Sequence, residues 1–222
     1  MVNYSTSEEN YIKAIFHLQE KTGTVTTNAL ANTLQTKPAS VTDMLKKLKT
    51  KKLVHYEPYQ GFRLSQEGRK VAIDIIRRHR LWEYFLAEKL NFDWNEVHEV
   101  AEHLEHVSSK KLIDKLDEYL GHPKFDPHGD PIPDSNGKMK ISKQLHLAET
   151  EFDRPVTVTY VSNQSKNMLE LLNHRNISIG TILEVKKKFQ FDHSLEIKIK
   201  NQPVFTISES LAKNIYVKYD QK

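Results

Sequence analysis

The sequence contains no cysteine among its 222 residues. Disulfide bonds, thiolate zinc clusters and thiol catalysis are therefore excluded, and any metal ion must bind through nitrogen and oxygen atoms. No stretch approaches the roughly 18 consecutive apolar residues of a membrane span, and the first residues lack the basic and then apolar pattern of a signal peptide. We therefore expect a protein that works in the cytoplasm and has no membrane partner.

Acidic residues are scarce in one of two neighbouring segments, and basic residues are scarce in the other. Residues 37–80 contain 12 Lys and Arg against 4 Asp and Glu, whereas residues 82–121 contain 4 against 10. The first segment suits an anionic partner and the second a cation, although both compositions also occur on solvated helical surfaces. Charge alone leaves both interpretations open.

Glycine and proline are also scarce, with 7 and 8 residues, yet three of the glycines and four of the prolines lie between Gly121 and Lys140. This composition favours a loop and places a domain boundary there. Beyond it, short apolar segments predict strands over residues 156–161, 181–186, 195–200, 204–207 and 215–219, with a helix over residues 165–174. A small β-barrel is the natural closure for such strands.

Before that boundary the apolar pattern is helical. Thr6 and Glu9 have the spacing of a capping box, and a first amphipathic helix extends from them to Gly23. Short helices that begin at Thr27 and near Lys37 predict a helix-turn-helix.

A hairpin and more helices follow. Strands at residues 54–56 and 62–64 flank a turn and predict a wing. Helices are predicted over about residues 67–90 and 95–107, and Ser108 or Ser109 can cap a further one. The predicted fold class is mainly α with a small β part.

The third helix and the wing carry a pattern that suits DNA. Small and polar side chains on the first turns of a recognition helix can approach base edges, and basic residues can contact phosphates. The candidate DNA-binding residues are Lys37, Pro38, Ala39, Ser40, Thr42, Asp43, Lys47, Tyr59 and Arg63. The same elements could form a protein-interaction module whose lysines only keep it soluble, and this segment leaves that alternative open.

A second pattern suits a metal ion. His98, Glu102, Glu105 and His106 have the spacing of one helical stripe and can face one ion, although a solvated acidic face would look the same. On the preceding helix, His79 and Glu83 share the apolar stripe, so the carboxylate needs a buried partner. An ion would supply one, and a structural Glu–His or Glu–Arg pair is the alternative.

Enzyme motifs are incomplete. Residues 98–102 begin like the zinc-protease motif H-E-x-x-H, but Glu102 replaces the second histidine. Neither G-x-S-x-G nor a glycine-rich phosphate loop occurs in the sequence. We therefore predict a protein that is not an enzyme.

Three segments resemble the diphtheria-toxin-repressor family of metal-dependent regulators. They are R-R-H-R-L-W-E at residues 77–83, the His/Glu-rich residues 97–107 and D-P-H-G-D-P-I-P at residues 126–133. They occur in the order found in that family, and the resemblance covers nearly the whole chain. It implies a winged helix-turn-helix domain over residues 1–70, a helical dimerisation and metal-binding domain over 71–122, a proline-rich linker over 123–148 and an SH3-like β-barrel over 149–222.

The resemblance also implies ligands. A primary metal site would comprise Asn10, Glu102, Glu105 and His106, and an ancillary site His79, Glu83 and His98. Iron-responsive relatives carry cysteine at the position of Glu102 and methionine at that of Asn10, whereas manganese-responsive relatives carry glutamate and aspartate. Glu102 therefore favours Mn²⁺, with Fe²⁺ as the alternative and Zn²⁺ or another divalent ion able to bind in vitro.

The match to the manganese branch is incomplete. Asn10 replaces its aspartate, and Lys13 stands where some members place a glutamate for a second ion, which argues against a compact two-manganese cluster. In iron-responsive relatives the SH3-like domain donates Glu and Gln ligands, and the nearest positions here are Gln164 and Asn167.

The function implied is that of a homodimeric transcriptional repressor. With metal bound it would bind a palindromic operator and regulate genes of metal homeostasis. An iron-dependent repressor of the same architecture is the main alternative, and a metalloenzyme or a metal-independent winged-helix adaptor would each need other evidence.

Overall fold

The computed structural model describes residues 4–57, 61–107, 109–139 and 145–219. The chain divides into two compact units. The first comprises Met1–His79, Glu102–Tyr119 and Pro133–Met139, and the second comprises Arg80–Ala101, Leu120–Ile132 and Lys140–Lys222. The fold class, mainly α with a small antiparallel β part, is confirmed.

The first unit begins with three helices and a hairpin. These elements are α1 (Thr6–Thr22), α2 (Thr27–Thr33), α3 (Pro38–Thr50), β1 (Val54–Glu57) and β2 (Gly61–Leu64). Apolar side chains at helical spacing, among them Ile12, Ile15, Leu30, Leu45 and Leu48, are buried in one core. The predicted helix-turn-helix and wing are thereby confirmed as helices and strands, while the turn at residues 58–60 lies outside the described residues.

The cap of α1 differs from the prediction. Ser5 is the capping residue: its hydroxyl accepts from the backbone N–H of Glu8, and its own N–H donates to Glu8 Oε2 at 2.9 Å. The capping box predicted for Thr6 and Glu9 is wrong by one residue, because both pairs have the same Ser/Thr-x-x-Glu spacing. Glu8 therefore takes part in the cap, whereas Glu9 does not.

Gly61 fixes the wing against the first helices. Its φ is +79°, and a Cβ atom at this position would lie 2.5 Å from the carbonyl oxygen of Val25. The next residue, Phe62, donates its N–H to that same oxygen at 2.9 Å. Only glycine permits this close approach of the hairpin.

Three further helices follow the wing: α4 (Gln66–Leu90), α5 (Val97–Val107) and α6 (Lys110–Tyr119). Both α4 and α5 contribute residues to each unit. Ser109 accepts from the N–H of Leu112 at 3.3 Å, as expected of a capping residue, and Ser108 lies outside the described residues.

The second unit contains the β part. Its elements are β3 (Leu145–His146), a short 3-10 turn (Leu147–Glu149), β4 (Val156–Val161), α7 (Lys166–His174), β5 (Ile182–Lys188), β6 (Leu195–Ile199), β7 (Phe205–Ile207), α8 (Glu209–Ala212) and β8 (Ile215–Tyr219). The strands form an antiparallel sheet in the order β3-β8-β4-β5-β6-β7. Alternating apolar residues of these strands pack into a second core. The predicted strands are confirmed with ends shifted by up to two residues, while β3 and α8 were not predicted.

Among the helices in the described ranges, none combines the length and the apolar character that crossing a membrane requires.

Candidate metal centres and nucleic-acid interface

Side chains from α1, α4 and α5 form a buried polar cluster in the first unit. The Nζ atom of Lys13 lies 2.7 Å from Glu102 Oε2 and 2.7 Å from Glu105 Oε1. The other oxygen of Glu105 is 2.6 Å from His79 Nδ1, and the Glu105 side chain has no exposed surface. Glu105 is therefore the centre of this cluster, which we call the α1–α5 cluster.

His106 is oriented by a carboxylate from α1. Its Nδ1 lies 2.6 Å from Glu9 Oε2. A carboxylate accepts hydrogen bonds, so Nδ1 carries the proton and donates, and the lone pair of the neutral ring is on Nε2. Among the described residues, that Nε2 atom is buried without a hydrogen-bond partner, 3.4 Å from Glu105 Oε1. Metal-binding imidazoles have this arrangement, with one nitrogen fixed by a carboxylate and the other available.

A further buried oxygen follows on α1. In the part of the chain that the structure describes, Asn10 Oδ1 is also buried without a hydrogen-bond partner. The ligand atoms of His79, Glu102 and Glu105 lie within 4.8 Å of one another. The donor set of carboxylate oxygens and imidazole nitrogen suits Mn²⁺ or Fe²⁺, and the unpartnered atoms of Asn10 and His106 fit such an ion.

Glu9 and Arg78 connect the helices around the α1–α5 cluster. Arg78 donates to Glu9 Oε1 at 2.8 Å and to the backbone oxygen of Glu105 at 2.6 Å. Glu9 thus contacts α4 through one oxygen and His106 through the other. Glu9 was predicted to belong to a helix cap, and no role was predicted for Arg78, although Arg78 lies within the R-R-H-R-L-W-E segment that carries the resemblance.

A second buried cluster lies in the second unit. Ligand atoms of Glu83, Asp126 and His128 lie within 4.8 Å of one another, and all three residues are buried. His128 Nε2 is 2.7 Å from the backbone oxygen of Trp94, so this nitrogen donates its proton. Its Nδ1, 3.9 Å from Glu83 Oε1, is buried with no hydrogen-bond partner among the described residues. We call this group the Glu83 cluster.

The electrostatics of the Glu83 cluster favour a cation. Burial raises the pKa of the Asp126 carboxyl well above its usual value, and the nearby carboxylates of Glu83 and Asp130 raise it further, while Arg80 opposes them. Arg80 lies 2.9 Å from Asp130 and 3.7 Å from Asp126. Two carboxylates therefore lie beside this guanidinium, and Glu83 adds a third negative charge close to Asp126. A buried excess of negative charge is costly unless a cation compensates it.

The side chain of Asp126 holds the loop at residues 126–130 in place through backbone N–H groups. Asp126 Oδ1 accepts from the N–H groups of His128 at 2.8 Å and Asp130 at 2.9 Å. Gly129 has a φ of +88°, and a Cβ atom there would lie 2.0 Å from the carbonyl oxygen of Thr159. The loop composition predicts a linker here, so Asp126 and His128 were not predicted as ligands, although they lie in the D-P-H-G-D segment that carries part of the resemblance.

The other predicted ligands also have polar contacts or exposed positions of their own. His98 Nδ1 lies 3.2 Å from Glu83 Oε1, and half of the His98 side chain is exposed. Gln164 donates to Asp130, whereas Asn167 is exposed on α7. His79, which the resemblance placed in the ancillary site, contacts Glu105 of the α1–α5 cluster.

The first turns of α3 present the predicted DNA-facing residues to solvent. The exposed side chains there are Lys37, Pro38, Ala39, Ser40, Thr42 and Asp43. Lys47 is half exposed and lies 3.2 Å from Glu8 Oε1, and Arg63 of the wing donates to the backbone oxygen of Gly23 at 3.2 Å. Tyr59 lies outside the described residues. An exposed helix with small side chains at its start is the geometry of a recognition helix.

Three family models match the chain in sequence. Residues 3–62 match the model described as iron dependent repressor, N-terminal DNA binding domain, and residues 65–134 match the iron dependent repressor metal binding and dimerisation domain. Residues 145–219 match the FeoA domain.

Individual proteins are similar over large parts of the chain. The HTH-type transcriptional regulator MntR of Oceanobacillus iheyensis is 34% identical over 120 residues, which cover 54% of this chain and 81% of that regulator. The diphtheria toxin repressor of Corynebacterium glutamicum is 33% identical over 189 residues, covering 80% of this chain and 82% of the repressor. A solved manganese-dependent transcriptional repressor in complex with manganese has a TM-score of 0.84 and 30% identity, with 96% of this chain and 99% of that chain covered.

Proposed function

Because this chain belongs to the diphtheria-toxin-repressor family of metal-dependent DNA-binding repressors, we propose that it represses transcription when Mn²⁺ binds the α1–α5 cluster. The observation that carries this proposal is the buried His106 Nε2, which has no hydrogen-bond partner among the described residues and lies 3.4 Å from fully buried Glu105, together with the similarly unpartnered Asn10 Oδ1 on α1. Such atoms are costly unless a ligand satisfies them.

The proposed ligands of the α1–α5 cluster are Asn10, Glu102, Glu105 and His106. A divalent ion would supply a positive centre that joins α1 to α5 and removes the repulsion between neighbouring carboxylates. The protein residues determine how the site is prepared: Glu9 orients His106, and Arg78 fixes Glu9. Lys13 already offers one positive charge to Glu102 and Glu105, so we propose that this cluster takes a single divalent ion.

The Glu83 cluster is proposed as a second metal centre, with Glu83, Asp126 and His128 as ligands. Two observations support this proposal. Among the described residues, His128 Nδ1 is buried without a hydrogen-bond partner. The carboxylates of Glu83 and Asp130 lie close enough to raise the pKa of buried Asp126. His98 contributes a hydrogen bond to Glu83 and is the most exposed member of the group. Gln164 is proposed to act through Asp130, and no observation supports Asn167 as a ligand beyond the resemblance.

We prefer manganese to iron because glutamate stands at position 102, where the resemblance gives cysteine for the iron-responsive relatives. Oxygen and imidazole donors without sulfur suit Mn²⁺, and the similar solved repressor is described as manganese-dependent. An iron-dependent repressor is the second candidate, because two of the matching family models are described as iron dependent repressor domains.

The remaining features of the proposal follow from the family and the exposed recognition helix. We propose a homodimer in the cytoplasm that binds a palindromic operator, with residues 1–70, 71–122, 123–148 and 149–222 as its functional segments. The partner DNA would be contacted by the exposed first turns of α3 and by the wing, and no enzymatic step is required.

Fluorescence anisotropy on metal-stripped protein tests the function. The probe is the promoter DNA of its own gene, and Mn²⁺, Fe²⁺ under anaerobic conditions and Zn²⁺ are titrated separately. Tight binding with Mn²⁺ alone supports a manganese-dependent repressor, and a larger response to Fe²⁺ would favour the iron-dependent candidate. If no metal changes binding to this or to neighbouring promoters, the metal-dependent function is wrong.

A further inference from the structure

A carboxylate on the first turn of α1 contacts the recognition helix. Glu8 Oε1 lies 2.6 Å from Lys51 Nζ and 3.2 Å from Lys47 Nζ, and these lysines belong to the end of α3 and the residue after it. Only 2% of the Glu8 side chain is exposed, whereas Lys47 and Lys51 are 53% and 33% exposed. The acidic partner is therefore fixed and buried, and the recognition helix is held to it by its basic side chains.

The same turn of α1 also contacts the α1–α5 cluster. Glu9 orients His106 and pairs with Arg78, and Asn10 contributes the buried, unpartnered oxygen described above. Residues that follow one another in a helix point in directions about 100° apart, so Glu8, Glu9 and Asn10 face different neighbours from one rigid turn. A displacement of this turn must therefore act on α3 and on the cluster together.

Two hydrogen bonds make that turn rigid. Glu8 Oε2 accepts from the N–H of Ser5, and the Ser5 hydroxyl accepts from the N–H of Glu8 at 3.3 Å. Glu8 therefore has one oxygen on its own helix cap and the other in ion pairs with the lysines at the end of α3.

We propose that Glu8 is the positioning residue through which metal occupancy of the α1–α5 cluster sets the position of the recognition helix. The inference rests on the proposed function, because it assumes that metal binding at this cluster promotes DNA binding. The effect of metal binding would pass from α1 to α3 through the ion pairs of Glu8 with Lys47 and Lys51. A ligand shifts a two-state element only through contacts that differ between the states, and we place this difference in the ion pairs of Glu8 with Lys47 and Lys51.

The test is the coupling factor, which is the ratio of DNA affinity with saturating Mn²⁺ to DNA affinity without it. Wild type and Glu8→Gln are compared as full-length proteins, with promoter DNA of the protein's own gene as the probe, and Mn²⁺ affinity is measured separately by calorimetry without DNA. Allosteric coupling factors are typically about 5–150-fold. We expect Glu8→Gln to reduce the factor by at least about fivefold while Mn²⁺ affinity stays at the wild-type value.

Matched variants separate transmission from stability. Ser5→Ala removes the cap of the same turn but keeps the Glu8 carboxylate, and Glu20→Gln removes an exposed ion pair with Arg69 elsewhere on α1. Glu20→Gln should keep the wild-type coupling factor, whereas Ser5→Ala loosens the turn and should give a factor between those of wild type and Glu8→Gln. If Glu8→Gln does not fold, Lys51→Met removes the shorter ion pair from the other side and is expected to reduce the factor in the same direction.

Each other outcome overturns the inference. An unchanged factor with a lower melting temperature would show that Glu8 only stabilises the fold. Equal strengthening of DNA binding with and without Mn²⁺ would show that Glu8 only screens the lysines, and loss of Mn²⁺ affinity would place it in the metal site. If wild type itself shows no stimulation by Mn²⁺, the proposed function fails, and this inference fails with it.

Discussion

The ammonium group of Lys13 lies 2.7 Å from the carboxylate of Glu105, a side chain with no exposed surface. The same ammonium contacts Glu102 at 2.7 Å. The protein therefore places a cation of its own between two proposed metal ligands. A divalent ion that binds there must share these carboxylates with Lys13 or displace it.

Replacement of Lys13 by Met should strengthen Mn²⁺ binding. The ammonium competes for the oxygens of Glu102 and Glu105, so its removal should raise Mn²⁺ affinity by about tenfold, which corresponds to about 1.4 kcal/mol. The metal-free variant should also be less stable by roughly 1–3 kcal/mol, because two buried or half-buried carboxylates lose their partner. Isothermal titration calorimetry and thermal unfolding measure the two effects.

The matched control is Lys70→Met, which removes an exposed ion pair with Glu67 on α4. It should change neither Mn²⁺ affinity nor stability beyond about 0.5 kcal/mol. An unchanged Mn²⁺ affinity in Lys13→Met would contradict competition by the ammonium.

Glu105→Gln should abolish the stimulation of DNA binding by Mn²⁺. The amide keeps the size of the side chain but loses the charge at the centre of the α1–α5 cluster. DNA anisotropy with and without Mn²⁺ measures the stimulation, and size-exclusion chromatography should show the wild-type oligomeric state. Glu99→Gln, at an exposed position of α5, serves as the control and should behave as wild type. Full stimulation in Glu105→Gln would remove this residue from the mechanism.

Glu9→Gln should weaken Mn²⁺ binding although Glu9 is not a proposed ligand. The carboxylate fixes the proton of His106 on Nδ1, and an amide can present its NH₂ group to that nitrogen and favour the other tautomer. Loss of such a partner commonly costs about 10–100-fold in metal affinity. Calorimetry with Mn²⁺ is the measurement, and an unchanged Mn²⁺ affinity would show that Glu9 does not act through His106.

Much of the fold could be predicted from the sequence because its signals are local. The apolar spacing of α1 and α3 and the alternation in β4 and β8 each depend on a few neighbouring residues, and these elements occur where the patterns place them. The predicted cap of α1 differs from the observed one by one residue, because Ser5 and Thr6 are each followed by glutamate at the required spacing. Because the prediction placed Glu9 rather than Glu8 in the cap, the contacts of Glu8 with Lys47 and Lys51 were not predicted.

The candidate sites were only partly predictable. The Glu/His stripe of α5 marked Glu105 and His106, since ligand residues on one helix share a periodicity. Asp126 and His128 come from a loop that is distant in sequence from Glu83, and loop composition does not indicate which buried residue it contacts. The role of Lys13 as a partner of Glu102 and Glu105 likewise depends on tertiary packing between α1 and α5.

Asp126→Asn should remove the second metal centre. The substitution eliminates a ligand charge from the Glu83 cluster, so the metal content after dialysis against Mn²⁺ should fall by about one ion per chain relative to wild type. The metal-free variant should be at least as stable as wild type, because a buried carboxylate that faces two others is lost. Elemental analysis and thermal unfolding measure these effects, and an unchanged metal content would show that Asp126 binds no ion.

Lys37→Ala and Thr42→Ala should separate the two ways in which α3 contacts DNA. Lys37 precedes the helix and is exposed, so it is expected to contact phosphate, and its loss should weaken binding to operator and unrelated DNA alike and reduce the salt dependence by about one unit of slope. Thr42 is exposed on the next turn, where a small side chain can contact a base edge, so its loss should affect the operator more than unrelated DNA. Anisotropy titrations with Mn²⁺ at several salt concentrations distinguish the two effects, and an equal loss on both DNAs for Thr42→Ala would exclude a base contact.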